Sequence, residues 1–173
     1  MKDLYIIDGY NFIFNIRKPA KLTSGQLSEL REKLLVRLSQ FKSYNNCSII
    51  AVFDARHSEN PGRSREILHN IDIIYSRKGE TADSVVENIV HNNQDYERVF
   101  VVTSDNLQQK VIFRENIYRK SIREFSIEMN QAKEKISNKL KQQKNISERS
   151  FYLVEKRIGR ISKDRLENLR QDK

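Results

Sequence analysis

Ser48-Ile49-Ile50-Ala51-Val52-Phe53-Asp54-Ala55 contains an unbroken apolar run that stops on an aspartate. A strand with one wet face alternates apolar and polar residues. This run does not alternate, so it expects both faces of its sheet to be covered. Val99–Val102 repeats the pattern within an expected strand Arg98–Thr103, which is followed by Ser104 and Asp105. Leu4–Ile7 and Ile71–Tyr75 complete four expected strands, and a fifth is read near Ile117–Arg119. Between the runs the apolar spacing changes to threes and fours. Gln26–Tyr44 sets Leu27, Leu30, Leu34, Leu35, Leu38 and Phe41 on one helical face, with Ser24 as its expected cap. Thr81 precedes a helix carrying Val85, Val86, Ile89 and Val90, and Asp105 opens one carrying Leu107, Val111 and Ile112. A further helix from Ser121 carries Ile122, Phe125, Ile127, Met129 and Ala132. Strands alternating with helices predict an α/β fold whose mainly parallel sheet is covered by helices on its faces.

The 173 residues suit one domain with an appendage: a body over 1–130 and a basic helical extension over 131–173. Within the extension, the polar stretch Gln142–Asn145 is expected to break the helix. Gly159 is expected to end a second patch built on Phe151, Leu153, Val154 and Ile158, with Ser162 capping a last helix. Hydrophobic residues at 38% and charged residues at 32% fit a soluble globular protein with a heavily solvated surface. The net charge of +9 is uneven: the extension holds 13 Lys/Arg against 6 Asp/Glu, the body 19 against 17. A basic extension on a near-neutral body points to a polyanionic partner, since Lys and Arg displace phosphate counterions. A solvated helix would account for the same lysines.

Several classes fall away. Cys47 is the single cysteine, which excludes an intrachain disulfide and a multi-cysteine metal site. Leu4–Ile7 is too short for a signal peptide and no run reaches membrane-span length, so a cytoplasmic protein without a membrane partner is expected. His57, His69 and His91 show no ligand spacing, and His57 reads best as a solvated loop residue. The chain has no Gly-rich phosphate loop, no Ser/His/Asp order and no dinucleotide fingerprint.

In an open α/β sheet, ligands bind outside the carboxyl ends of the strands. The first strand ends in Asp8-Gly9-Tyr10-Asn11, the second in Asp54, and the fourth in Thr103-Ser104-Asp105; Gly79-Glu80-Thr81-Ala82-Asp83 follows the third. Each aspartate alone has a structural reading, since Asp83 and Asp105 sit where helices start and Asp8 can brace the turn at Gly9. Four on one edge repel one another unless a cation sits among them. Oxygen donors without His or Cys suit Mg²⁺ or Mn²⁺, ions that serve phosphodiester hydrolysis. Asn11, Thr103 and Ser104 are candidates to orient a phosphate or a ligand water. Asp3, Asp72 and Asp95 lie at strand starts or in a surface turn and are set aside.

These residues together resemble the YacP-like family of NYN-domain proteins, relatives of the PIN-fold nucleases. The carriers are Asp8-Gly9-Tyr10-Asn11, Phe53-Asp54-Ala55, Tyr75-Ser76 with Gly79-Glu80-Thr81-Ala82-Asp83, Thr103-Ser104-Asp105, and Arg119-Lys120-Ser121 with Glu124-Phe125. The resemblance runs over about residues 3–130 and departs at Glu115-Asn116-Ile117, where relatives are expected to carry a Gly-Ala pair. It implies a three-layer α/β/α PIN-like fold and a metal-dependent endoribonuclease, and some members cut mRNA on the ribosome. Carried onto this chain, Asp8, Asp83 and Asp105 become the metal-side carboxylates, supported by Asp54 and Asn11.

An acidic site for RNA needs basic surroundings. Arg56, Arg63 and Arg65 lie in a loop expected over 56–65 after Asp54, Lys78 beside Arg77 before the Gly-Glu-Thr-Ala-Asp turn, and Arg119 beside Lys120; all are expected phosphate contacts. Tyr10 is equally suited to stacking on a base or to the core. The expected activity is RNA hydrolysis with Mg²⁺ or Mn²⁺, leaving 5′-phosphate products. The rivals are a non-catalytic RNA- or ribosome-binding module, and a phosphatase or DNA nuclease using the same acids.

Overall fold

The computed structural model describes residues 3–16, 22–54, 64–77, 79–93, 95–104 and 116–171, with side chains of the last helix described through Lys144 and at Ile146 and Lys156. The chain order is β1 (Asp3–Asp8), α1 (Gly9–Ile16), α2 (Ser24–Asn45), β2 (Ser48–Phe53), β3 (Ser64–Leu68), β4 (Ile71–Tyr75), α3 (Ala82–Asn92), β5 (Arg98–Val102), β6 (Ile117–Lys120) and α4 (Ile122–Gln171). The six strands form one sheet in the order β3-β4-β2-β1-β5-β6, parallel throughout except for the β3–β4 hairpin. The expected α/β class and mainly parallel sheet are therefore present.

β1 shows why helices cover both faces. Tyr5 and Ile7 join a core built with α1, α2 and the first turns of α4, while Leu4 and Ile6 join another built with α3. β2 is buried along five of its six residues, as its unbroken apolar run requires. The crossover from β1 to β2 runs through α1 and α2, and that from β4 to β5 through α3. Successive crossovers thus change face between β1 and β5, which are neighbours in the sheet. That is the topological switch point, where the carboxyl ends of two adjacent strands part and leave a crevice.

Five sequence expectations are corrected. The loop expected over 56–65 gives way at Ser64 to β3, Ser64-Arg65-Glu66-Ile67-Leu68, an exposed edge strand that no apolar run announces. It pairs antiparallel with β4 through a two-residue turn whose His69 and Asn70 both have left-handed φ, +52° and +62°. Such a turn matches the natural twist of a hairpin. α1 was not expected, since it follows β1 without a linker. The α2 cap is Thr23 rather than Ser24: its Oγ1 accepts the Gln26 N–H at 3.3 Å, and Gln26 Oε1 accepts the Thr23 N–H at 3.0 Å. Ile127 is half-exposed, because the buried stripe of α4 runs through Ile122, Phe125, Met129 and Ala132 at steps of three and four. Finally, α4 continues through Gln142–Asn145 and Gly159; Gln and Lys are good helix formers, and an isolated Gly costs only about 1 kcal/mol. The helix expected from Asp105 lies outside the described residues.

Two compact units are distinguished, Met1–Lys133 and Glu134–Lys173; the second is helical through Gln171. Among the described residues no helix is long and apolar enough to cross a membrane.

Gly9 is where β1 becomes α1. A Cβ built there would lie 2.2, 2.5 and 2.7 Å from Cε1, Cζ and Cδ1 of Phe53, whose ring is fully buried and wedged between Tyr10 and Tyr75. The ring has no room to retreat. Gly9→Ala is expected to cost about 2–3 kcal/mol through overpacking and to lower the thermal midpoint by about 4–12 °C, measured by circular dichroism; an unchanged midpoint would contradict the contact.

Candidate functional site

Asp8 closes β1 and caps α1. Its Oδ1 accepts the Asn11 N–H at 3.1 Å, satisfying one of the helix's open first-turn donors. Asn11 reaches across the switch point: its Nδ2 donates to Thr103 Oγ1 at 3.3 Å, and its Oδ1 accepts from the Ser104 hydroxyl. Thr103 is fully buried, and its N–H donates to the Lys120 carbonyl at 3.3 Å, which ties the β5 end to β6. A cleft of about 460 Å³ opens here, lined by Asp8, Tyr10, Asn11, Phe14, Asn15, Asp54, Ala82 and Ser104.

Two more carboxylates act on Asp8. Asp54 follows β2 and lines the cleft, while Asp83 occupies the first turn of α3 behind its cap, Thr81, whose hydroxyl accepts the Ser84 N–H at 3.2 Å. The preceding turn is closed by the Glu80 N–H to the Arg77 carbonyl at 2.9 Å, and Gly79 supplies the φ of +88° it needs. Burial, with the charges of Asp83 and Asp54 behind it, pushes the Asp8 carboxyl up from 3.8 to about 6 against the lowering effect of the Asn11 bond. Among the described residues that line the cleft there is no Lys or Arg.

The donors available are carboxylate, amide and hydroxyl oxygens, a hard set that fits Mg²⁺ or Mn²⁺. Among the described residues no three His, Cys, Asp or Glu side chains converge tightly enough to cage an ion by themselves.

The expected site residues divide accordingly. Asp8, Asp54 and Asn11 meet in the cleft and Asp83 lies within electrostatic reach of Asp8. Asp105, Arg56, Arg63 and Lys78 lie outside the described residues. Arg65 is not in a loop: it sits on β3 and gives Nε and Nη2 to Asp72 Oδ1 at 3.1 and 2.9 Å. Arg119 is half-buried on β6 beside Val101, one residue short of the strand's carboxyl end, and does not line the described cleft. Lys120 instead holds Glu128 at 2.7 and 2.8 Å and lies 4.5 Å from the Phe100 ring centroid.

Tyr10, open to two readings in the sequence, belongs to the core: it is 5% exposed, edge-on to Phe53 at 5.0 Å and stacked on Phe14 at 5.9 Å. Its phenol meets Arg31 of α2, whose guanidinium also lies 5.8 Å from the Tyr75 ring centroid. Arg31, Phe14 and Asn15 were missed in the sequence. Asn11 and Asn15 are one turn apart, a signal visible only once α1 is recognised.

The family model of the YacP-like NYN domain matches residues 5–171. The uncharacterised protein YacP of Bacillus subtilis (strain 168) is 29% identical over 140 residues, which span 80% of this chain and 82% of YacP. The crystal structure of Rae1 (YacP) from Bacillus subtilis matches with a TM-score of 0.67 at 29% identity, covering 81% of this chain and 80% of that one. A mutant of Rae1 gives 0.68 at 28% identity, with 81% and 82% covered.

Because the folded Asp8 carboxyl holds its proton more tightly than an unfolded one, the fold loses stability as pH rises from 3.8 through 6, and stays lower above that. Removing the charge should restore part of the loss, since an Asn side chain still caps the helix. In chelator at pH 7.5, Asp8→Asn is expected to raise the thermal midpoint by about 3–6 °C, or about 1–2 kcal/mol. The gain should disappear below pH 4. An equal gain at both pH values would refute the desolvated carboxylate.

Proposed function

This chain belongs to the YacP-like NYN domain family, and on that premise we propose that it is a metal-dependent endoribonuclease acting on mRNA in association with the ribosome. The observation that carries the reading is the Asp8 carboxyl, desolvated at the switch point and pressed by Asp54 and Asp83 in an open cleft. Holding three acids together serves a cation better than it serves the fold. RNA as substrate draws on the family resemblance and on the 13 Lys/Arg of residues 131–173.

In this reading Asp8, Asp83 and Asp105 would hold Mg²⁺ or Mn²⁺. Such a cation supplies Lewis-acid activation of water and neutralises charge on the phosphodiester. Asn11 fixes the Asp8 carboxylate by its N–H and orders the β5 end through Thr103 and Ser104. Asp54 adds negative potential on the β2 side. Arg56, Arg63, Lys78 and Arg119 are proposed to hold the RNA backbone around the acids, contacts that position a strand without reading its bases.

The rival reading, a non-catalytic RNA- or ribosome-binding module, is served equally well by the 13 Lys/Arg of residues 131–173. Purified protein incubated with mRNA, with and without translating ribosomes, in Mg²⁺ or EDTA, separates the two. Cleavage is expected in Mg²⁺ and not in EDTA, and Asp8→Asn and Asp83→Asn should each reduce it by about 10²-fold or more, as loss of transition-state charge stabilisation does. Unchanged cleavage in both variants would sink the metal-site assignment. RNA or ribosome binding with no cleavage in any condition would favour the binding module.

A further inference from the structure

On the other side of α3 from the β1 end of the sheet, a second cleft of about 330 Å³ lies between α3 and the β3–β4 hairpin. It is lined by Ser64, Arg65, Ile74, Val85, Asn88, Ile89, Asn92 and Asn93. Ile74, Val85 and Ile89 make an apolar floor, and amides and a guanidinium rim it. A few placed polar groups over an apolar surface are what small organic ligands require.

The polar groups are ordered. Asn92 Nδ2 donates to Asn88 Oδ1 at 3.1 Å. That bond leaves Asn88 to present its amide N–H₂ and Asn92 its carbonyl oxygen, a donor and an acceptor side by side on one helix face. Helix termination accounts for Asn93, which follows the last helical residue and whose Nδ2 donates to the Ile89 carbonyl at 2.7 Å. It does not account for Asn88, an exposed mid-helix position where Asn is a poor helix former. Facing them, Arg65 gives Nε and Nη2 to Asp72, and its Nη1 donors meet no acceptor among the described residues.

An apolar floor, a donor–acceptor edge and a guanidinium fit a nucleotide: the base face on Ile74, with Val85 and Ile89 buried beneath it, the base edge on the asparagines, and a phosphate at Arg65. Adenine sets an amino group beside a ring nitrogen, the complement of such an amide edge. α3 links this groove to the acids, since Asp83 stands in its first turn and Asn88 about 7.5 Å further along the axis. We propose that the groove is a base-reading subsite for single-stranded RNA, resting on the nuclease reading for the origin of that strand.

Fluorescence anisotropy with short rA, rC and rU homopolymers in EDTA tests it, with AMP as competitor and thermal midpoints as the folding control. The double variant Asn88→Ala/Asn92→Ala should weaken the tightest homopolymer about tenfold and narrow the spread among the three, the size of one lost bidentate base contact. Arg65→Gln should weaken all three about equally and lower the salt slope by about one. The double variant binding every homopolymer like the parent overturns the proposal, and so does a parent that binds none. AMP held as tightly as rA, and lost in the double variant, replaces it with a free-nucleotide site. Cleavage in Mg²⁺ separates the two readings. A parent that reads bases through the groove but never cuts sinks the nuclease alone. A parent that cuts, with groove variants that bind and choose sequences as it does, sinks the groove alone.

Discussion

The contact between the Phe53 ring and the bare Cα of Gly9 sets the rest of the cleft. α1 follows β1 with no intervening residue, so Asp8 is at once the last strand residue and the helix cap. A helix that starts so abruptly passes close over its neighbour, β2, and the space that a side chain at residue 9 would fill holds an aromatic ring instead. Once Phe53 is seated, Tyr10 packs edge-on against it and Phe12 reaches Phe125 of α4. Asn11, on the remaining side of the first turn, meets Thr103 and Ser104. One steric fit therefore fixes the floor of the cleft, the cap and the bridge to β5 together.

That geometry puts Asp8 under opposed demands. A helix N-terminus favours an anion, and the Asn11 N–H favours the carboxylate form. Burial and two nearby aspartates disfavour it, and they prevail, since the carboxyl rises to about 6. A neutral Asn or Ser would cap α1 about as well without the electrostatic cost. The charge itself is what the fold gains nothing from, so its use is sought in the cleft and not in the helix.

The layers and the central strands were legible because burial on both faces writes itself as unbroken apolar runs. β2 and β4 keep their expected ends; α3 buries the whole apolar face read from its spacing, and α2 buries Leu34, Leu35, Leu38 and Phe41 of its face, with Leu27 and Leu30 partly buried. What escaped carries another signal or none. β3 is an edge strand that buries little, with Ile67 72% exposed, so no hydrophobic pattern marks it. α1 is eight residues long and opens on a glycine that reads as a turn; the need for that glycine comes from Phe53, 44 positions away. In the site, the places of Asp8 and Asp54 at strand ends followed from topology alone. Arg31 did not, because its partners Tyr10 and Tyr75 arrive from α1 and β4 and only the folded chain brings the three together.

The same electrostatics weigh between an enzyme and a passive RNA-binding surface. A polyanion entering the cleft meets the carboxylates of Asp8 and Asp54 with Asp83 within electrostatic reach, and the described lining residues include no Lys or Arg. A surface that only held RNA would do better with Asn or Ser at each of these positions, keeping the hydrogen bonds without the charge. Lysines and arginines elsewhere add attraction at long range, which salt screens over about 8–10 Å, and leave the local cost in place. Carboxylates that held a divalent cation would carry no such cost, and the cleft would then attract phosphate. The acids are thus a liability to a binding module and a requirement for metal-assisted phosphodiester chemistry, and that asymmetry is the physical ground for preferring the nuclease.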